Sequence, residues 1–457
     1  MKLTFCGGVQ SVTGANYLLE VGENLKILVD CGMFQGTHFC DKRNFEPFPY
    51  NPKEIDAILI THSHIDHIGR LPLIFKAGFR GKIFSTSATK DSSEYLLIDS
   101  EHILNKEAEE RKQPPLYTIE DVNSMMELWQ TVKYRQKFKI GPPSDEFEIE
   151  FFDAGHILGS SFILISDKTG KKIVFSGDLG NISTPIVKDT EIIPAADYAV
   201  IESTYGDRLH EDTGKRKDIL EDIIEETISA KGVLLIPAFA MERTQELLYE
   251  LNELTENKRI PRVPIFIDSP LAIRLTSVYK KYSQSPDYFD KESIDLMKKG
   301  DFIFEFPGLK FALNTEQSKE INNIPVPKII IAGSGMSQGG RILHHELRYL
   351  SDPKNTILFV GYQGAGSLGR QILDGAKSVK IMGTDVAVNC RVASISGYSA
   401  HADSLGLINW IKPAHQTLKK VFVVQGEEKA SLALVEKLED ELAVEAIMPS
   451  MGDSIML

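Results

Sequence analysis

Apolar residues fall into short β-rich runs separated by glycine turns and by stretches with helical spacing. In the first part the runs are Leu25–Asp30 (LKILVD), Ala57–Thr61 (AILIT), Phe147–Phe152 (FEIEFF), Phe162–Ser166 and Lys172–Ser176 (KIVFS). The opening MKLTFCGGVQ reads as a strand running into a glycine turn, and Ser92–Arg111 has helical spacing. Strands that alternate with helices predict an α/β domain. A second pattern of the same kind starts after residue 205, with a helix over Asp218–Ser229, a strand over Gly232–Ile236, a helix over Thr244–Leu254 and a strand over Pro264–Asp268. Ile329–Ala332 and Thr356–Val360 are further strands, each followed by a glycine-rich turn. These elements predict a self-contained parallel-sheet unit, with the charged, helix-rich Tyr279–Lys299 inside it. From about Val388 the pattern returns to strand, loop, helix and strand and ends in a helix over Ser431–Leu442. There is no internal repeat or low-complexity segment, and Asn323–Lys328 (NIPVPK) is a short turn.

At 457 residues the chain exceeds one simple core and predicts two domains or three. Its 42% hydrophobic and 25% charged residues are ordinary for a soluble globular protein. No apolar run reaches the length of a membrane span, and the N-terminus has no apolar core behind a basic start, so a cytoplasmic location is expected. Cys6, Cys31, Cys40 and Cys390 form no CxxC pair and are expected to be buried thiols rather than disulfides. The net charge of -13 counts against a general nucleic-acid binder with a basic face. That cost is partial, because a metal site consumes carboxylates and bound cations reverse the local field.

The strongest chemical signal is Thr61–Gly69, THSHIDHIG, between an apolar strand and a helical run. His62, His64, Asp66 and His67 lie within six residues, and only 11 histidines exist in the chain. Imidazole nitrogen with carboxylate oxygen suits zinc, and manganese or iron fits the same donors. In an extended segment alternate side chains share a face, so His62 and His64 can grip one ion. After the turn into a helix, Asp66 and His67 can face a second. His156 (AGHILGS) and Asp178 (FSGDLG) follow strands beside glycines, where an α/β site assembles, and Asp178 could bridge two ions. Asp30, at the end of LKILVD, reads as an outer partner orienting a ligand histidine.

Asp30, the HSHIDH run, His156 and Asp178 together resemble the metallo-β-lactamase superfamily. Further motifs narrow the resemblance: IESTYG (201–206), IPAFAMERTQELL (236–248), DSPLA (268–272), GSGMSQGGRILHH (333–345), GYQGAGSLGR (361–370) and SGYSAHAD (396–403). Over nearly the whole chain these are similar to the β-CASP subfamily, which includes the RNA 3′-processing endonuclease of the cleavage and polyadenylation factor and its prokaryotic relatives. The resemblance implies an α/β fold: an αββα metallo-β-lactamase sandwich with an inserted parallel-sheet β-CASP domain that caps the metals. The implied boundaries are 1–205 for the first part of the sandwich, 206–382 for the insert and 383–457 for the C-terminal part.

The implied activity is metal-dependent hydrolysis of phosphodiester bonds in single-stranded RNA, endonucleolytic in mode, by a hydroxide that the metals generate and hold. Two zinc ions are expected, with manganese as the alternative, and single-stranded RNA as the substrate. No membrane partner is expected, and a homodimer is compatible with the reading. The implied metal ligands are His62, His64, Asp66, His67, His156 and Asp178. Asp66, Glu202 and His401 form the implied catalytic group, in which His401 acts on the phosphate or leaving oxygen and Glu202 holds His401. Arg243, Ser334, Gly335, Gly339 and Arg370 are candidate phosphate contacts, the glycine loop through its backbone N–H groups. A tight strand-to-helix turn explains the glycine loop equally well, and a surface salt bridge is the duller alternative for the two arginines. His344 and His345 read as capping or packing residues, and His38, His102, His210 and His415 as structural.

One position departs from the family pattern. Where relatives carry a further histidine ligand after a strand, this chain has Gln425, in Gln425-Gly426-Glu427 behind Lys420–Val424. A neutral amide is a poorer zinc ligand, so the second ion is expected to be weak, differently coordinated or absent. Two other functions compete. A small-ester or lactone hydrolase of the same fold would lack the inserted unit. A non-catalytic RNA-binding subunit is favoured by Gln425 and opposed by the intact HSHIDH run, Glu202 and His401.

Overall fold

The computed structural model describes residues 1–22, 25–36, 41–182, 184–210, 213–364, 366–395 and 397–457. Cys40 and His38 lie outside these residues. Cys6, Cys31 and Cys390 are buried free thiols, and burial pushes the first two up to about 12, which makes them poor nucleophiles. Among the described residues no helix is long and apolar enough to cross a membrane.

The chain divides into two compact units, the first built from residues 1–182, 187–209 and 401–457 and the second mainly from 210–400. The first unit holds two seven-stranded sheets. One runs Ser454–Met456, Lys2–Gly7, Asn16–Val21, Leu25–Val29, Ala57–Leu59, Lys82–Ser85, Trp129–Thr131, and its last four strands are parallel. The other runs Ala446–Ile447, Lys420–Val424, Tyr198–Glu202, Lys172–Phe175, Ser161–Asp167, Phe147–Asp153, Phe138–Ile140. Period-two alternation decides which residues fill the sandwich. Phe147, Ile149 and Phe151 join Phe5, Leu19, Ile27, Leu59, Ile163, Ile165 and Phe175 in one core. Phe152, Phe162, Leu164 and Val174 point the other way, under Leu407, Trp410, Leu434 and Leu438 of the helices Ser404–Ile411 and Glu428–Leu442. Both faces are therefore apolar, which is why these strands read as nearly continuous hydrophobic runs. Each fully buried Phe, Leu or Ile contributes about 1.5–3 kcal/mol.

The second unit is a six-stranded sheet in the order Leu309–Phe311, Ile265–Ile267, Lys328–Ala332, Val233–Pro237, Thr356–Phe359, Arg391–Ser394, with every pairing parallel. Helices Arg216–Ser229, Arg243–Glu256, Pro270–Tyr282 and Ile342–Tyr349 belong to it. Its edge strand Arg391–Ser394 lies past the expected boundary at 382, and the chain rejoins the first unit at His401. Parallel pairing onto Thr356–Phe359 holds that segment in the second sheet. The architecture is thus a metallo-β-lactamase-type α/β sandwich with an inserted parallel-sheet domain.

Candidate metal centre

The C-terminal ends of six strands bring the site residues together. Asp30 follows Leu25–Val29, His62 follows Ala57–Leu59, and His156 follows Phe147–Asp153. Asp178 follows Lys172–Phe175, Glu202 ends Tyr198–Glu202, and Gln425 follows Lys420–Val424. Asp66 and His67 lie on the four-residue helix Ile65–Ile68, too short to persist alone. It is docked by Ala15 N–H to the Asp66 carbonyl (2.9 Å), Cys31 N–H to the His67 carbonyl (2.8 Å) and Met33 N–H to the Ile65 carbonyl (3.0 Å). Gly32 makes this possible, since a Cβ there would stand 1.5 Å from the Asp66 carbonyl oxygen. The loop carrying His156 is fixed by Ser160, whose Oγ accepts from His156 N–H at 3.0 Å, and by Thr86 and Thr89, which both donate to the Gly159 carbonyl at 2.7 and 2.8 Å.

Four donors form a first cluster. His64 Nδ1 lies 3.1 Å from His62 Nε2 and 3.3 Å from His156 Nε2. Asp178 Oδ2 lies 3.4 Å from His62 Nε2 and 3.7 Å from His156 Nε2. Zinc–nitrogen bonds of about 2.0–2.1 Å place tetrahedral donors about 3.3–3.4 Å apart, so this spacing fits one ion. Three imidazole nitrogens facing one another need a cation or a shared proton between them, because like lone pairs repel. Burial, then the charge on His67, holds His62 well below its ordinary value, and burial with His62 does the same to His64. Neutral imidazole is the metal-binding form.

A second cluster shares Asp178. His67 Nε2 is 3.3 Å from Asp178 Oδ1 and 3.8 Å from Asp66 Oδ2. Burial opposes charge on His67, but Asp178, Asp30 and Asp66 outweigh it and hold the imidazole well above 6.5. Burial raises Asp66 to about 6. A proton on His67 thus answers carboxylates that a metal cation would answer instead. Gln425 is buried and aimed into this cluster, with Nε2 2.8 Å from His67 Nε2 and 3.1 Å from Asp178 Oδ1. Its backbone is left-handed (φ 47°), as is that of Asp30 (φ 59°), a conformation costing about 1 kcal/mol or more in a non-glycine residue.

His401 stands beside both clusters. Its Nδ1 is 3.2 Å from Glu202 Oε1 and 3.9 Å from Asp178 Oδ2, and its ring centroid is 4.5 Å from that of His156. Glu202 is fully buried; its Oε1 also accepts from Leu179 N–H at 2.7 Å. Burial lowers the pKa of His401, but Glu202, Asp178 and Asp66 outweigh that and push it up to about 9. A basic imidazole therefore sits next to a metal-type donor set, a pairing suited to an anionic substrate.

Residues 18–198 match the metallo-beta-lactamase superfamily domain, 244–372 the Beta-Casp domain and 385–449 the Zn-dependent metallo-hydrolase RNA specificity domain. The chain is 39% identical over 434 residues to Ribonuclease TTHA0252 of Thermus thermophilus, covering 95% of each. The chain belongs to the β-CASP family of the metallo-β-lactamase superfamily. It is also 31% identical over 456 residues to an RNase J-like protein of Methanocaldococcus jannaschii, covering 98% of each. Identity to the transcription termination factor FttA of Methanosarcina mazei is 30%, over 97% of this chain and 70% of that one. A crystal structure of a protein of unknown function from Enterococcus faecalis V583 shares the fold at a TM-score of 0.56 and 13% identity, covering 100% of this chain and 99% of that one.

Membership in the β-CASP family implies a divalent metal, and the two donor clusters suit one. The five candidate phosphate contacts all lie in the second unit. Arg243 is buried there, with Nη1 2.5 Å from Glu246 Oε2, so its charge is committed inside the unit. Arg370 is exposed and paired with Asp374 at 2.9 Å. The glycine loop closes on itself: Ser334 N–H donates to the Gly339 carbonyl at 3.1 Å, and Ile342 N–H to that of Gly333 at 3.0 Å. A Cβ on Gly335 would meet the Phe239 ring at 2.8 Å, whereas Gly339 opens to space. His345 packs in the second unit with Nε2 2.7 Å from Asp268 Oδ2. His102 and His415 are peripheral, on Glu101 and the Lys412 carbonyl. Thr61, the residue before the histidine run, escapes a search for ligands because a hydroxyl carries no metal signal. Its burial at the end of an apolar strand is the feature that singles it out.

Proposed function

We propose that the chain is a zinc-dependent ribonuclease that cuts single-stranded RNA internally, in the cytoplasm. The pairing of His401 with buried Glu202, against two donor clusters joined by Asp178, carries this reading. Its support from relatives is the ribonuclease named at 39% identity across nearly the whole chain. His62, His64, His156 and Asp178 would hold one ion, and Asp66, His67 and Asp178 the other, with manganese as the alternative metal. Ions held there would supply Lewis acidity toward water and the phosphate. Residues from about 206 to 400 serve in this reading as the inserted domain, and 401–457 return His401 and Gln425 to the sandwich.

The chain's own groups do the rest. Glu202 accepts a hydrogen bond from Nδ1–H of His401 and favours the protonated ring. His401 is then left with Nε2–H to give to a phosphate oxygen or to the leaving oxygen. Asp66 would stand beside this pair as an ionised carboxylate on the second ion, and the fixed positions of these groups would need no reorganisation at the moment of reaction. A circular single-stranded RNA tests metal dependence and internal cutting together. Linearisation that needs added zinc or manganese is the expected result. Digestion of linear RNA with no attack on the circle would replace the endonuclease by an exonuclease, and inertness toward both would remove the ribonuclease reading.

A further inference from the structure

We propose that Thr61 is a positioning residue that couples the two halves of the metal centre through one carboxylate. The proposal rests on the reading of His62 and His67 as metal ligands. Thr61 N–H and Oγ1 both donate to Asp30, to Oδ1 and Oδ2 respectively, each at 2.8 Å. The same Oγ1 lies 3.1 Å from His62 Nδ1 and 3.3 Å from His67 Nδ1, the latter held at the shorter distance by Asp30. Asp30 Oδ2 lies 2.7 Å from His67 Nδ1. Asp30 therefore reaches one histidine directly and the other through a hydroxyl.

Proton counting fixes the directions. A carboxylate only accepts, so His67 Nδ1 carries a proton and Thr61 gives its single hydroxyl proton to Asp30. The hydroxyl oxygen is left as an acceptor, which places a proton on His62 Nδ1 as well. Both imidazoles then turn Nε2 to the clusters, His62 to the first and His67 to the second, because their Nδ1 atoms are engaged on one anion. Holding the far nitrogen of a ligand histidine in this way sets ring orientation and ligand basicity.

Thr61 has no freedom to give. Its carbonyl accepts from Ser161 N–H at 2.8 Å and from Ser161 Oγ at 2.9 Å, and the residue is fully buried. Gly177, at φ 53°, supplies the space, since a Cβ there would stand 2.7 Å from Thr61 Cβ. Valine at 61 keeps this shape and removes only the hydroxyl. His62 then loses its Nδ1 acceptor while His67 keeps Asp30, so the damage falls on the first cluster.

The test is titration of the metal-free full chain with zinc by calorimetry and with cobalt(II) by visible absorption, for the unmodified chain, Thr61→Val, Thr61→Ala and Thr61→Ser. Thr61→Val and Thr61→Ala are expected to weaken the tighter binding step about 10–100-fold, the usual cost of losing an outer hydrogen-bond partner. The cobalt spectrum of that step shifts with the changed ligand field. Thr61→Ser restores both. Equal affinity in Thr61→Val and the unmodified chain overturns the proposal, as does loss in Thr61→Ser equal to that in Thr61→Val. Thr61→Ala decides the matter should the valine variant fail to fold. An unmodified chain that binds no metal removes the ligand reading instead.

Discussion

Gln425→His is the most informative substitution this centre offers. Glutamine Nε2 and histidine Nε2 reach the same distance from Cα, so an imidazole at 425 would place its nitrogen near where the amide now sits, 2.8 Å from His67 Nε2 and 3.1 Å from Asp178 Oδ1. The left-handed backbone at 425 tolerates the change, since histidine is enriched at positive φ. The substitution raises the second cluster from three strong protein donors to four. Four-ligand zinc sites bind with about 10–16 kcal/mol, so one ligand carries about 2.5–4 kcal/mol. The amide oxygen, once the amide turns, or a water recovers part of that in the unmodified chain. Tightening of the second step by about 10–100-fold is expected, with the first step unchanged. Calorimetry of the metal-free chain reads this as one tight and one loose zinc before the substitution and two tight ions after it. Cleavage should rise at limiting metal and change little at saturation. Two equally tight ions in the unmodified chain would refute the reasoning, and so would a Gln425→His chain with unchanged affinity.

Other consequences can be checked separately. His64→Ala and Asp178→Ala should lose metal and cleavage together, and full zinc after gel filtration of His64→Ala would remove it from the ligand set. His401→Ala should keep its metal and lose about 10²–10⁴-fold in cleavage, the range for a lost general acid; an unchanged rate removes the proposed role. Burial pushes Glu346, bonded by the Ser337 hydroxyl in the second unit, from 4.5 up to about 8. The folded chain then holds a proton that the unfolded chain releases near 4.5, so this group makes stability fall as pH rises from about 4.5 to about 8 and level off beyond. Glu346→Gln should flatten that slope, worth at most about 5 kcal/mol, in urea midpoints across the window; an identical slope would mean that the group ionises freely in the fold.

The candidate ligands were legible because their chemistry is concentrated. Histidine is scarce in the chain, and strand, glycine and carboxylate recur together at Asp30, His156 and Asp178, the pattern a strand-end site produces. The direction of Gln425 was not legible, since a strand end leaves both inward and outward side chains open until φ is known; its left-handed turn aims it inward. Thr61 was hidden for another reason. Its role is made by Asp30, which is remote in sequence and brought near by the parallel pairing of Leu25–Val29 with Ala57–Leu59. Arg243 could not be assigned from the sequence, because a cation beside a motif suits either a phosphate contact or an ion pair; in the fold it is buried against Glu246, one helical turn on. The boundary at 382 was set by change of motif, whereas the sheet continues through Arg391–Ser394, whose alternation carries no mark of which sheet it joins.

Asp178 decides how the centre should respond to damage. Oδ2 faces His62 and His156, Oδ1 faces His67 and Gln425, and Oδ2 stands 3.9 Å from His401 Nδ1. Burial opposes its charge, yet His67 and His62 hold it well below the ordinary carboxylate range. One buried anion thus serves both clusters and the imidazole beside them, while each histidine serves one. Substitutions at the two ends of such a group cannot be independent. Pairing Asp178→Asn with His67→Ala, and separately with His156→Ala, should cost less than the sum of the single changes in each case, because the first removes a partner that both histidines share. His67→Ala and His156→Ala together, with Asp178 intact, should come nearer to additivity in metal affinity, since they act on different ions. Strict additivity in the first two pairs would mean that Asp178 joins nothing and that the two clusters are separate sites that happen to be close.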